Sequence, residues 1–186
     1  MDLWSVMQWL LPSGLFGSVV LALWNKFVRI RPKLILRIEG SSAMQGADGP
    51  NRYKFVWNRE LVLHNDSTHK ARRVRPVLIE GTDNWHFKGS LPETVDPDTK
   101  ERWPFSIQYS EERGKVIALC GQEALQRHDL AGTFLPHVLG HTEIIVAYDN
   151  EKDTTFYSRL IMDGEIQRSS LHWRKPKLER KNKWRE

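Results

Sequence analysis

The chain has 186 residues, carries 28 Lys and Arg against 23 Asp and Glu for a net charge of +5, and contains a single cysteine. One cysteine excludes an internal disulfide framework, and a composition that is 40% hydrophobic excludes a chain too polar to build a core. Enough residues follow position 32 for one domain of ordinary size.

From Leu3 to Asn25 there is no ionisable side chain, Trp4, Trp9 and Trp24 stand near the ends of the run, and Lys26, Arg29, Arg31 and Lys33 follow it closely. About 20 apolar residues cross a hydrocarbon core, indole rings settle at its interfaces, and flanking cations stay on the cytoplasmic side. The expectation is therefore a single membrane-spanning helix with the C-terminal domain in the cytoplasm. A secretory signal peptide is disfavoured, because the segment lacks a basic start and a small-residue cleavage site. Pro12 offers a second arrangement, with Leu3 to Leu11 in the interface and a shorter helix from Pro12 to about Ile30. Ser13, Gly14, Gly17, Ser18 and Ala22 place small residues four apart, which lets two such helices approach and self-associate, although small residues are common in any membrane helix.

Charge falls in blocks. Lys26 to Arg37 carries +5, Arg174 to Glu186 carries +5, and Ile38 to Trp173 carries −4; with Asp2 these make the total. Basic segments beside an anchor are attracted by anionic lipid at about 1 kcal/mol per residue. Lys26, Arg29, Arg31, Lys33, Lys175, Lys177, Arg180 and Lys181 are thus the expected lipid contacts. The tail has too little apolar surface to fold alone.

In the body, Leu34 to Ile38 reads as a short strand ending at Gly40. Tyr53, Phe55, Trp57, Leu61 and Leu63 alternate with polar residues in the period of a half-buried strand, which Arg59 interrupts as if at a bulge or an edge. Asn65 to Thr68 is a turn, and Val74 to Glu80 is a return strand. Between Gly81 and Gly114, short strands near Trp85–Phe87 and Phe105–Tyr109 sit among turn-forming residues. Lys115 to Leu119 reads as another strand, Gly121 to Gln126 as a helical turn, and Leu130 to Leu139 as irregular. Glu143–Tyr148 and Thr154–Met162 form a hairpin across the polar connection Asp149–Asp153. Seven or eight short strands predict a mainly β fold, an antiparallel sandwich of immunoglobulin type, with a small closed barrel as the alternative. The expected organisation is an anchor and basic segment at 1–32, a β-domain at 33–173 and a basic tail at 174–186.

Signals for chemistry are sparse. His137 and His141 are four apart without an acidic or thiol partner at a metal-site spacing, so no metal centre is expected. Glu111–Glu112 and Asp96–Asp98 read as solvated turn residues, and Cys120, between apolar neighbours, as a packed thiol. No phosphate loop, nucleophile elbow or kinase signature is present, and neither a catalytic residue nor a cofactor is expected. Lys70, Arg72, Arg73 and Arg75 enter a strand as a dense cluster; with Arg59 these arginines are the candidate contacts for a phosphate-bearing ligand, or else charges that protect a sheet edge. Cations beside aromatics suit nucleic acid as well as lipid, but an anchored domain meets lipid at little ordering cost, so nucleic acid is not the expected partner.

No specific motif marks a family. In outline, an anchor followed by a compact cytoplasmic β-domain resembles the membrane-tethered modules of bacterial stress and antiphage systems. The residues themselves lead to a membrane-anchored, non-enzymatic interaction or sensing module with an unidentified protein partner. The resemblance implies an alternative, a ligand-gated effector whose β-domain binds a nucleotide-like anion and whose anchors cluster.

Overall fold

Alternation in Tyr53–Leu63 is the key to the architecture, because it runs on unbroken. In the computed structural model, which describes residues 17–18, 31–81, 83–123, 130–164 and 166–177, β2 (Arg52–Asn65) is one continuous strand. Phe55, Trp57, Leu61 and Leu63 point inward and are fully buried. Arg59 keeps their phase instead of departing from it. The irregularity lies in the neighbouring strand β1 (Leu34–Ala47), whose register against β2 shifts between Gly40 and Ser42. Before that bulge Leu34, Leu36, Ile38 and Gly40 share the inner side; after it Ala43 and Gln45 stand opposite Trp57 and Phe55.

Two antiparallel sheets follow. The first has the order β1, β2, β6 (Lys100–Glu112), β4 (Trp85–Phe87), and the second the order β5 (Thr94–Val95), β3 (Ala71–Glu80), β7 (His141–Asp149), β8 (Thr155–Asp163), β9 (Ile166–His172). Their inner faces meet in one core that joins Leu36, Trp57, Phe105 and Ile107 to Val74, Ile144, Val146 and Leu160. The fold is thus mainly β and sandwich-like. It is not a closed barrel, because β1 meets the second sheet through side chains and not through a ladder. The Leu36 amide donates to Ser169 Oγ at 3.1 Å, and the Gln167 amide group both accepts from the Ile38 N–H at 2.7 Å and donates to the Ile38 carbonyl at 2.8 Å. Ser158 donates to the Leu34 carbonyl. These bonds satisfy backbone groups on the edge of β1 and hide it from other strands.

Two helices correct the sequence reading. Arg113–Cys120 is α1, not a strand, and Leu130–Val138 is α2, not irregular chain. A short apolar run does not declare its own secondary structure; here Val116 packs into the core, and Gly121, at φ 82°, ends the helix by donating to the Ile117 carbonyl. Leu130, Ala131, Phe134 and Leu135 bury one side of α2 where the second sheet does not reach. Phe134 stacks on Phe55 at 4.7 Å, Trp57 Nε1 donates to the Ala131 carbonyl at 2.9 Å, and Gln45 accepts from the Ala131 amide at 2.9 Å. β9 carries no strand signal in its sequence: five of its seven residues are exposed, so it lacks the alternation of a buried strand.

Among the described residues no helix is long and apolar enough to cross a membrane. The run Leu3–Asn25, with Gly14 and Ala22, lies outside the described residues except for Gly17 and Ser18, which are helical and exposed. Lys26, Arg29, Arg180 and Lys181 also lie outside them.

Candidate functional site

The four arginines singled out by sequence do not form one site. Arg72, Arg73 and Arg75 lie in β3 beside the connection between β7 and β8, whereas Arg59 lies in β2, at the other end of the sandwich.

At the first location, β3 bulges between Arg72 and Arg75, and Arg73 adopts φ 49°, unusual for a residue with a side chain. Its reward is electrostatic. Arg73 Nε donates to Asp149 Oδ2 at 2.7 Å and its terminal nitrogen to Asp153, Arg75 reaches Asp149 at 3.3 Å, and Thr155 donates to Asp149 Oδ1 at 2.6 Å. Two of the three cluster arginines are therefore engaged by carboxylates of this chain. Burial alone raises the Asp149 carboxyl, but the Thr155 hydroxyl, Arg75 and Arg73 together outweigh it and hold that carboxyl below the usual aspartate range. A lowered folded value means that the charge stabilises the fold at neutral pH and that this contribution disappears as pH falls below about 4. Asp149→Asn is expected to lower the melting temperature at pH 7, with the gap to wild type narrowing steadily between pH 5 and pH 3. A constant gap across that range would assign Asp149 a packing role only.

The same end receives both basic segments. Tyr148 donates to the Pro32 carbonyl at 3.2 Å, Asp66 donates its amide to the Lys33 carbonyl at 2.9 Å, and Arg31 lies over the Phe156 ring. Because β1 runs antiparallel to its β9 contacts, Leu34 begins beside the point where β9 ends. Burial, Arg159 and Arg31 all hold the His172 imidazole below its ordinary value, which places Arg31 near the exit of the chain. Trp173 is 65% exposed there. Lys33, Arg72, Arg174, Lys175 and Lys177 are exposed and make no ion pair among the described residues.

At the opposite end the two sheets part around a cavity of about 200 Å³, lined by Ile38, Trp85, Ile107, Leu135, Leu139 and Met162, with Gly164 at the β8–β9 turn and the polar groups of Arg59 and Gln167. Arg59 pairs across the ladder with Gly40, and a Cβ on Gly40 would lie 2.1 Å from Arg59 Nη1. The absent side chain of Gly40 is thus what lets the guanidinium lie flat against β1. An arginine in the phase of apolar neighbours was the sequence signal for this site.

Other chemistry-bearing groups stand apart. His141 Nδ1 is 2.6 Å from Asp163, the side chain of His137 lies outside the described residues, and among the described residues no three His, Cys, Asp or Glu gather as metal ligands. Ser170 Oγ lies 2.9 Å from His172 Nε2, but no described carboxylate orients that ring, and burial with the charges of Arg159 and Arg31 disfavours its protonated form. Burial pushes the Cys120 thiol up, away from the thiolate a nucleophile requires. On the outer face of the second sheet Glu143, fully buried, accepts from Arg159 Nε at 2.7 Å.

Comparison with known protein families, characterised proteins and solved structures found no match for this chain.

Proposed function

We propose that this chain is a membrane-tethered, non-enzymatic β-sandwich module whose basic end faces an anionic, cytoplasmic leaflet, leaving the rest of the domain free to sense or recruit a partner. The observation that carries this reading is the convergence of chain entry and exit. Lys33 arrives where Trp173, Arg174, Lys175 and Lys177 depart, so the two basic blocks can meet one surface together, while Arg31 is turned inward over Phe156 with Nε and Nη2 buried. The ion-free run Leu3–Asn25, which leads directly into the first block, supports the tether. The strand order supports an immunoglobulin-like reading: β1-β2-β6-β4 matches A-B-E-D, and β3-β7-β8 matches C-F-G. β5 and β9 are added strands, and with one cysteine in the chain packing and hydrogen bonds, not an internal disulfide, hold the sheets together.

A second reading, a ligand-gated effector whose anchors cluster, draws its support from the cavity at Arg59. It draws little from Arg73 and Arg75, which Asp149 and Asp153 already occupy.

The test of the leading reading is vesicle flotation. The domain from Lys33 to Glu186 is expected to float with vesicles containing anionic phospholipid at low salt, to ignore neutral vesicles, and to be released as salt rises, since exposed charges are screened within about 8 Å at physiological ionic strength. Removing Lys175 to Glu186 is expected to abolish most of that binding without lowering the melting temperature. Equal binding to neutral vesicles, or binding unchanged by the truncation, would overturn the role given to the basic end.

A further inference from the structure

An arginine that points between the two sheets of a β-sandwich brings a charge to an apolar cavity, here with a partner already supplied by the protein. Arg59 takes the inward phase of β2 between Trp57 and Leu61, both fully buried, and its row across the first sheet is Gly40, Arg59, Phe105, Phe87. The chain also makes room for this side chain, through the bare Cα of Gly40 beneath Nη1. Ile38, Trp85 and Leu139 are half-buried, so the cavity that Arg59 enters reaches solvent.

We infer that this cavity is a binding site for a small apolar monocarboxylate, a ring or short chain of about ten heavy atoms whose carboxylate meets the Arg59 guanidinium. Size favours a small ligand. A cavity of about 150 Å³ holds benzene, whereas drug-sized ligands occupy roughly 300–1,000 Å³, so about 200 Å³ suits a ring with a short acidic arm and is small for a nucleotide. The lining selects an apolar body, because Ile38, Ile107, Leu135, Leu139 and Met162 present only carbon and sulfur, and Trp85 presents an indole ring. The charge selects the head group. A guanidinium carries five N–H donors in a planar fork and can take a carboxylate in addition to the partner it has within the protein. Gln167 is the lesser donor, since its oxygen and one of its two amide N–H groups are engaged by the Ile38 backbone. Those bonds also tie β9 to β1 at the cavity, so a molecule bound there touches the seam between the sheets. The site stands apart from the membrane reading. Along β1, Leu34 at the basic end and Ile38 at the cavity are four residues and roughly 13 Å apart.

The experiment uses the full-length chain in lipid nanodiscs, with phenylacetate as the probe and phenylacetamide as its neutral counterpart, measured by isothermal titration and by thermal shift. Phenylacetate is expected to bind at one site per chain, at least about tenfold more tightly than phenylacetamide, as expected for a charge-assisted pair. Arg59→Met should erase that preference while leaving weak binding of both compounds, and Leu139→Trp, which fills the cavity, should abolish both. The comparison of the two probes on the wild-type chain tests the inference even if a variant does not fold. Absence of saturable phenylacetate binding, equal affinity for acid and amide, or a preference that survives Arg59→Met would each overturn it.

Discussion

Arg159→Leu is expected to destabilise the domain by about 3–5 kcal/mol, because it leaves the Glu143 carboxylate buried without its cation. Glu143 has no exposed surface and Arg159 is 8% exposed, and they meet at 2.7 Å across β7 and β8 on the outer face of the second sheet. The pair is not a strong stabiliser in itself, since removing two charges from water costs about what their attraction returns. The double replacement Glu143→Leu with Arg159→Leu is therefore expected to recover most of the loss, and urea unfolding of the two single variants and the double variant measures the difference. If each single variant loses under 1 kcal/mol, solvent reaches the pair and the burial argument fails.

Trp57→Ala is the second large effect, with an expected loss of about 3–5 kcal/mol. Trp57 is fully buried, stacks on Phe55 at 5.5 Å, and donates from Nε1 to the Ala131 carbonyl at the start of α2. Its removal opens a cavity at the first sheet and releases the hydrogen bond that ties α2 to β2 at Ala131. Trp57→Phe keeps most of the ring and loses the N–H, so it is expected to cost about 1–3 kcal/mol. Hydrogen exchange over residues 130–138 checks the mechanism: Trp57→Ala should speed exchange in α2 well before it speeds exchange in β7. Uniform acceleration across both would show that Trp57 supports the whole core equally and not α2 in particular.

These variants touch contacts that differ in how far local sequence reveals them. The hairpin of β7 and β8 was legible, since two apolar runs flank a five-residue polar connection and need only each other to pair. The alternation of β2 was equally plain, and within it Arg59 stood out as an exception. Alternation alone reads the exception as a bulge or an edge. The bulge is in β1, and the place for Arg59 is made by Gly40, nineteen positions earlier in the chain.

Sequence by itself determined the strand-forming period of β2 and of the last hairpin, the ion-free run at Leu3–Asn25, and the division of charge into two basic blocks around an acidic body, because each is a property of neighbouring residues. Tertiary structure alone decided the rest. It made Lys115–Leu119 a helix, since a five-residue apolar run is short enough for either conformation and packing against the first sheet chose between them. It paired Arg73 with Asp149 across 76 positions, turning a basic cluster into an ion-pair network. It also brought the start of β1, which follows Arg31 and Lys33, to the end of β9, which precedes Trp173 and Arg174, because β1 and β9 lie side by side in the folded sandwich although they stand at opposite ends of the domain's sequence. Pairings over such distances depend on which sheet each strand joins, and that is set by the whole core at once.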